Sequence, residues 1–435
     1  MATVLAYTSP ALGHLFPMMP LLLELAGRGH RVHVRTLASQ VGLVRDHGLD
    51  AEPIDPGIEA IEHHDFGART AIEALSATGD VFARRAGLDA PDLERAVGAV
   101  RPDVLVVDIN PWGARLAAEA WGGPWVTFSP YIPPIRAAGT PPFGPGLAPM
   151  RGPLGRLRDA VLRPLILGQV EKRFLPGINA VRAARGLAPV ADVDAFFRSA
   201  PVMLVTTSEP FDYPHSDWLP AVRSIGALPW EPPSAVPAWV EEPGDPFVLV
   251  TTSSEYQADE SLARAAVEGL AGEPYRVVVT MPAGVSDLGP LPANARVERF
   301  VPHSAVLARA AVAVTHGGMG ATQKALAAGV PCVAVPFGRD QPEVAARVVR
   351  SGAGVRVAKG RLTPERLREA VRRAAGMADG ALRVSAGYRA AGGAAAGADA
   401  VEELLGPSGE RAHRRNPAPR RNPAPESATE RADRP

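Results

Sequence analysis

Between Val312 and Arg347 the chain reads V-A-V-T-H-G-G-M-G-A-T-Q-K-A-L-A-A-G-V-P-C-V-A-V-P-F-G-R-D-Q-P-E-V-A-A-R, and these residue types describe an anion site. Val312 to Val314 has the apolar pattern of a strand buried on both faces. His316-Gly317-Gly318-Met319-Gly320 follows, and then Ala321, Ala325 and Ala328 recur at helical spacing until Gly329-Val330-Pro331 stops the helix. Glycines let backbone approach a ligand closely, and the unpaired N–H groups at a helix start, with the positive end of its dipole, suit a phosphate. His316 can add a donor. Cys332 to Pro336 reads as a second strand, with Gly338-Arg339-Asp340-Gln341 at its carboxyl end. If the two strands are parallel neighbours, a diphosphate at one strand end and a hydroxyl-rich group at the next share one crevice. That pairing describes a nucleotide sugar.

A second reactive constellation lies near the start of the chain. Thr3 to Tyr7 is a strand, and Ser9-Pro10-Ala11-Leu12-Gly13-His14 turns it into a helix carrying Leu15, Met18, Met19, Leu22, Leu23 and Leu25. An imidazole near a helix N-terminus is disfavoured as a cation, which keeps it available as a base near neutral pH. Such a base needs a partner that fixes its tautomer. Asp108 ends the apolar strand Val104 to Val107, at the sheet edge where sites of α/β proteins assemble. Helix capping is the structural alternative for both residues.

The run H-G-G-M-G-A-T-Q-K-A-L, then G-V-P and then D-Q, resembles the donor-binding signature of family 1 glycosyltransferases with the GT-B fold, particularly those of actinomycetes that glycosylate natural products. The resemblance spans about thirty-five residues without a gap. It implies two Rossmann-like α/β domains whose parallel sheets face each other across a central cleft. The implied activity is metal-independent, inverting transfer of a hexosyl group from a dTDP- or UDP-sugar to a hydroxyl of a small hydrophobic acceptor. By the same resemblance His14 takes the acceptor proton and Asp108 orients it. His316, Gly317, Gly318, Met319 and Gly320 would meet the diphosphate, with Ser253 donating from the opposite wall in the turn Thr252-Ser253-Ser254-Glu255. Phe300 would stack on the base, Val301 would offer it backbone, and Asp340 and Gln341 would hold the sugar. One position departs from the pattern. Lys324 stands where many relatives carry a ribose-binding glutamate, and an ammonium accepts no hydrogen bonds. Either the donor is a deoxyribonucleotide sugar or Lys324 serves a phosphate or a neighbouring carboxylate.

These residues need elements to hold them. At 435 residues the chain is long enough for two cores, and short apolar strands alternating with helical segments indicate α/β architecture. Strands are expected at Arg31 to Arg35, Pro124 to Phe128, Val202 to Thr206, Val222 to Ile225, Phe247 to Thr251, Arg276 to Thr280 and Arg296 to Phe300. An N-terminal acceptor domain over residues 1–227 would join, through a stiff proline-rich linker at 228–246, a nucleotide-sugar domain at 247–406. Helices are expected at Pro364 to Ala375 and Ala381 to Leu405, the last returning to the first domain. Residues 407–435, with R-R-N-P-A-P in tandem from Arg414 to Pro425, read as a disordered tail. Asp55 to Gly87 lacks strand periodicity and reads as a loop over the acceptor. The proline- and glycine-rich stretch Pro130 to Gly152, with Tyr131 and Phe143, either lines the acceptor pocket or packs beneath a loop.

Composition excludes other classes. Forty-six basic residues balance forty-six acidic ones, so nothing in the charge favours nucleic acid or membrane. The single cysteine, Cys332, forbids an internal disulfide and favours the cytoplasm. Met1-Ala2-Thr3-Val4-Leu5 enters a strand with no basic start, so no signal peptide is expected. His63-His64-Asp65 and Asp192-Val193-Asp194 lack the third ligand and the strand-end context of a metal site, and no cofactor is expected beyond the nucleotide sugar as co-substrate. A homodimer stays open. The alternatives in function are a nucleotide-sugar epimerase of the same architecture, which would turn over donor alone, and a non-catalytic nucleotide-sugar-binding partner.

Overall fold

The computed structural model describes residues 1–62, 71–215, 217–218, 220–254, 257 and 259–406. His63, His64, Asp65, Glu255 and the expected tail lie outside them. Among the described residues the strands form two all-parallel sheets, of seven and six strands. The first comprises β1 (Thr3–Tyr7), β2 (Arg31–Thr36), β3 (Asp50–Pro53), β4 (Val104–Asp108), β5 (Trp125–Ser129), β6 (Val202–Val205) and β7 (Val222–Ser224), in the order β3-β2-β1-β4-β5-β6-β7. The second comprises β8 (Phe247–Thr251), β9 (Arg276–Thr280), β10 (Ala295–Glu298), β11 (Ala310–Thr315), β12 (Cys332–Ala334) and β13 (Gly354–Arg356), in the order β10-β9-β8-β11-β12-β13.

Both orders reverse direction at one place, between β1 and β4 in the first sheet and between β8 and β11 in the second. Crossover helices leave opposite faces of the sheet at such a point and open a crevice beyond the strand ends. His14 follows β1 and Asp108 closes β4; His316 follows β11 and Ser253 follows β8. Topology therefore puts all four at the two crevices before any side chain is considered.

The first core packs Leu15, Met18, Met19, Leu22 and Leu25 of the helix Leu12–Gly27 against Val4, Val106, Val126 and Leu204 of the sheet. Ala398, Ala400 and Val401 of the last helix, Gly393–Leu405, lie in that same core, so the chain returns to the first sheet after building the second. Those residues are nearly all alanine and valine, which is what close helix packing at a crowded site admits.

Three features differ from the sequence expectations. The segment read as a loop from Asp55 to Gly87 holds more than half of a thirty-residue helix, Ala71–Val100. Gly79, Gly87, Gly98 and Pro91 obscure its periodicity, yet Ala86, Ala90, Leu93 and Ala96 are buried at helical spacing. Helix Trp112–Trp121 presses against it so closely that a Cβ at Gly113 would meet the Ala86 carbonyl oxygen at 2.1 Å. The helix read as Ala381 to Leu405 is two, Ala378–Ala390 and Gly393–Leu405, separated where Gly392 and Gly393 take φ of 88° and 60°. Strands β3 and β13 pair at sheet edges and are too short to leave an alternating pattern.

Candidate active site at the facing strand ends

His14 is the third residue of its helix, and its Nδ1 lies 2.7 Å from Oδ2 of Asp108. Asp108 is completely buried, and its other oxygen accepts the backbone N–H of Asn110 at 2.9 Å. A buried carboxylate held in this way accepts the imidazole Nδ1–H, which leaves the lone pair of the neutral ring on Nε2. Nε2 faces Nδ2 of Asn110 at 3.1 Å. The Tyr131 hydroxyl donates to Oδ1 of that amide at 2.7 Å, and its ring meets the imidazole edge-on, 5.9 Å between centroids. Burial first, and then the charges of Asp108 and Asp340, push the Tyr131 phenol well above its ordinary range, so it stays a donor.

Asp340 belongs to the other sheet, in the turn after β12, yet its charge is felt at both Tyr131 and His14. Burial raises the Asp340 carboxyl above its usual range, while Arg339 and His14 pull it back. Arg339 sits at φ of 53°, a left-handed conformation that costs a non-glycine residue energy and marks a turn held by its surroundings. Gln341 does the holding. Its Oε1 accepts the N–H groups of Phe337 and Gly338 at 2.6 and 3.0 Å, and its Nε2 donates to Gln257 at 2.6 Å. Gln341 is 2% exposed; the residue read as a sugar contact is here a brace of the turn that presents Asp340. Gln257 in turn donates to Oγ of Ser253 at 3.0 Å, tying the wall after β8 to the turn after β12.

Gly317 and Gly318 are glycines for separate reasons. Gly317 adopts φ of 83°. Gly318 has ordinary dihedrals, but a Cβ there would lie 2.2 Å from Nε2 of His316, because the imidazole folds over the start of the helix Met319–Ala327. Among the described residues nothing lies within 4 Å of a Cβ at Gly320, whereas Met319 is buried. Nδ1 of His316 approaches the Thr251 carbonyl at 3.4 Å, and burial lowers the ring's affinity for a proton. An anion set against Nε2 opposes that effect and favours the protonated ring.

Phe300 is 49% exposed, in the turn after β10. A phenylalanine with half its surface in water offers a stacking face, which removes the alternative of a core residue. Val301 is buried in the core of the second sheet. Lys324 forms an ion pair with Glu231, Nζ to Oε2 3.4 Å, and burial lowers the ammonium despite its partner. Glu231 also accepts the N–H groups of His303 and Ser304, at 3.1 and 3.0 Å, and the Ser304 hydroxyl. Of the two uses open to Lys324, the structure realises the neighbouring carboxylate. Glu231 was not foreseen, since the pair joins residues 93 apart.

Asp192 and Asp194 hold backbone and arginines: Asp192 caps the short helix Val193–Phe197, and Asp194 pairs with Arg198 at 3.0 Å.

Comparison with known proteins gives this arrangement a family. Residues 266–399 match the model "Erythromycin biosynthesis protein CIII-like, C-terminal domain". The chain is 36% identical to 4'-demethylrebeccamycin synthase of Lentzea aerocolonigenes over 85% of its own length and 91% of that protein. It is 30% identical to demethyllactenocin mycarosyltransferase of Streptomyces fradiae over 94% and 87% of the two chains. The chain belongs to the GT-B glycosyltransferases of actinomycete natural-product biosynthesis. Among solved structures it is similar to the calicheamicin glycosyltransferase CalG4, with a TM-score of 0.73, 25% identity, and 94% and 99% of the two chains covered.

The halves of this glycosyltransferase are locked together beside the site. Arg347 pairs with Asp212 at 2.7 Å and with Glu343 at 2.9 Å, all three buried. Burial works against the Asp212 charge, but Arg347 and His215 hold its carboxyl down at about 2. Glu343 accepts the N–H groups of Gly144 and Gly146, both at 2.8 Å, so the proline-rich loop is clamped to the helix Gln341–Arg350 that Asp340 begins. Gln323 donates across the cleft to the Thr206 carbonyl. Among the described residues no helix is long and apolar enough to cross a membrane.

Proposed function

We propose that this glycosyltransferase moves a hexosyl group from a dTDP- or UDP-sugar to a hydroxyl of a small hydrophobic natural-product acceptor, with inversion at the anomeric carbon. The observation that carries the reading is the His14–Asp108 pair at 2.7 Å, set opposite an Asp340 whose charge reaches it from the other sheet. As the acceptor oxygen attacks the anomeric carbon, Nε2 of His14 takes its proton and Asp108 steadies the imidazolium. The bond to the diphosphate breaks on the opposite face of that carbon, so a single displacement inverts it.

Charge then develops on the leaving diphosphate. The N–H groups of Gly317 to Gly320 and the His316 ring lie where that charge would gather, and preorganised donors of this kind stabilise a transition state more than a ground state. They do the work that a divalent cation does elsewhere, so the reading uses no metal. Phe300 stacks on the pyrimidine, Val301 presents backbone to it, and Asp340 accepts sugar hydroxyls while Gln341 and Gln257 fix its turn. The two named relatives, 4'-demethylrebeccamycin synthase and demethyllactenocin mycarosyltransferase, support a natural-product acceptor.

A mass-spectrometric screen of UDP- and dTDP-sugars against polyketide, macrolide and phenolic acceptors tests the reading. Glycosylated product is expected from the wild type and none from His14→Ala, with dTDP or UDP binding retained by calorimetry. Full activity in His14→Ala would remove the base. Donor turnover without any acceptor would instead favour an epimerase, and donor binding with no turnover a non-catalytic partner.

A further inference from the structure

Nε2, the nitrogen that must receive the acceptor's proton, already has a hydrogen-bond partner, and that partner is itself held. Asp108 fixes the Nδ1–H, so in the neutral ring Nε2 can only accept, and only the NH₂ of Asn110 can face it. The Asn110 carbonyl must then face Tyr131, whose hydroxyl donates to it. The result is a one-way chain, Tyr131 to Asn110 to His14 to Asp108, closed by the Asn110 backbone N–H on the far oxygen of the same aspartate.

We propose that Asn110, oriented by Tyr131, is a positioning residue that holds His14 neutral with its proton on Nδ1 until an acceptor hydroxyl displaces the amide from Nε2. The inference rests on His14 being the base of the transfer proposed above.

The physical basis is an asymmetry between the two states of the ring. Neutral His14 satisfies every group in the chain. Protonated His14 puts an N–H against the NH₂ of Asn110, and relief requires the amide to turn over and Tyr131 to reverse from donor to acceptor. A hydrogen bond made to the neutral form disfavours the charged form. Among the described residues, the charged and titratable groups facing the ring are Asp108 from β4, Tyr131 beyond β5 and Asp340 from the turn after β12, with Arg339 acting on Asp340 and Arg115 behind Asp108 and Tyr131. Asp108 and Asp340 both favour imidazolium, and the helix N-terminus and the Asn110 amide oppose them. Asn110 also lines a small pocket with Ser9, Pro10 and Phe82.

The test uses the full-length protein without ligands. Histidine labelled with ¹³C and ¹⁵N is titrated by NMR, with His14 assigned by its loss in His14→Gln; the ¹⁵N shifts report the tautomer and the Hε1 shift the protonation midpoint. In the wild type the neutral ring is expected to carry its proton on Nδ1. Asn110→Asp replaces the donor by an acceptor and should raise the midpoint by about one unit or more. Asn110→Ala and Tyr131→Phe should raise it by less, in the same direction. Unchanged resonances from the other nine histidines, of ten in all, establish that each variant is folded, and Tyr131→Phe serves if Asn110→Asp is not. A midpoint that stays at the wild-type value in the folded variants, or a wild-type ring protonated on Nε2, overturns the proposal. Because the titration needs no turnover, that result with an inactive His14→Ala dismisses Asn110 alone, whereas an active His14→Ala overturns both readings.

Discussion

Replacing Gly318 by alanine is the sharpest probe of the proposed diphosphate site, because it acts through one neighbouring ring. The backbone at Gly318, with φ −64° and ψ 140°, is one that alanine adopts without strain. The added Cβ would nevertheless lie 2.2 Å from Nε2 of His316, where ordinary contact begins at 3.4 Å. The imidazole must retreat by more than about 1 Å, which stretches an N–H···O bond of about 2.9 Å beyond its useful range. A hydrogen bond to a charged group contributes about 1.5–3 kcal/mol, so the dissociation constant for dTDP or UDP should rise roughly ten- to hundredfold. Isothermal titration calorimetry with either nucleotide measures this.

The comparison with His316→Ala makes the outcome decisive. If Gly318→Ala works by displacing the ring, the double variant should bind no more weakly than His316→Ala alone, since effects on one shared group do not add. A proton signature accompanies it. Burial keeps the unliganded ring neutral and an anion reverses that preference, so nucleotide binding below about pH 7 should take up a proton, seen as a dependence of the heat on the buffer. Gly318→Ala and His316→Ala should both lose that uptake. Wild-type affinity in Gly318→Ala, or losses that add in the double variant, would refute the assignment of His316 to the diphosphate.

Two further expectations concern the frame of the site. Arg347→Ala leaves the buried carboxylates of Asp212 and Glu343 without their cation and should destabilise the fold by about 3–5 kcal/mol, whereas Arg347→Met with Asp212→Leu and Glu343→Gln should recover much of it; urea unfolding checks both. His303 is held neutral, mainly by burial and then by Lys324, with its ring brought down to about 4. Below its ordinary 6.5 the unfolded chain binds a proton that the folded chain refuses until about pH 4. The stability present above 6.5 is therefore lost as pH falls through that window, by roughly 3 kcal/mol in all. Between about pH 7.5 and about pH 5, His303→Gln should lose about 2 kcal/mol less than the wild type; parallel losses would show that another group titrates.

The sequence by itself determined the parts whose chemistry is local. A strand, a glycine turn and a helix start follow one another within ten residues, so the local frame of the proposed anion site at His316 to Gly320 is legible from residue types. The two-sheet α/β architecture is legible too, because strands buried on both faces are short apolar runs. Tertiary structure alone decided what distant residues do to each other. Gln341 stands next to Asp340 in sequence, yet the turn after β12 folds its amide inward, and it braces where Asp340 faces the cleft. Lys324 has no carboxylate near it along the chain, and Glu231 reaches it only because the chain around Glu231 passes over the start of the helix His303–Leu307 and beside the last turn of the helix Met319–Ala327. Asn110 and Tyr131 are ordinary loop residues until β4 and β5 lie side by side and aim both at His14. Hydrogen bonds extend only about 3 Å, so partners remote in sequence become visible only when the fold has brought their atoms within that distance.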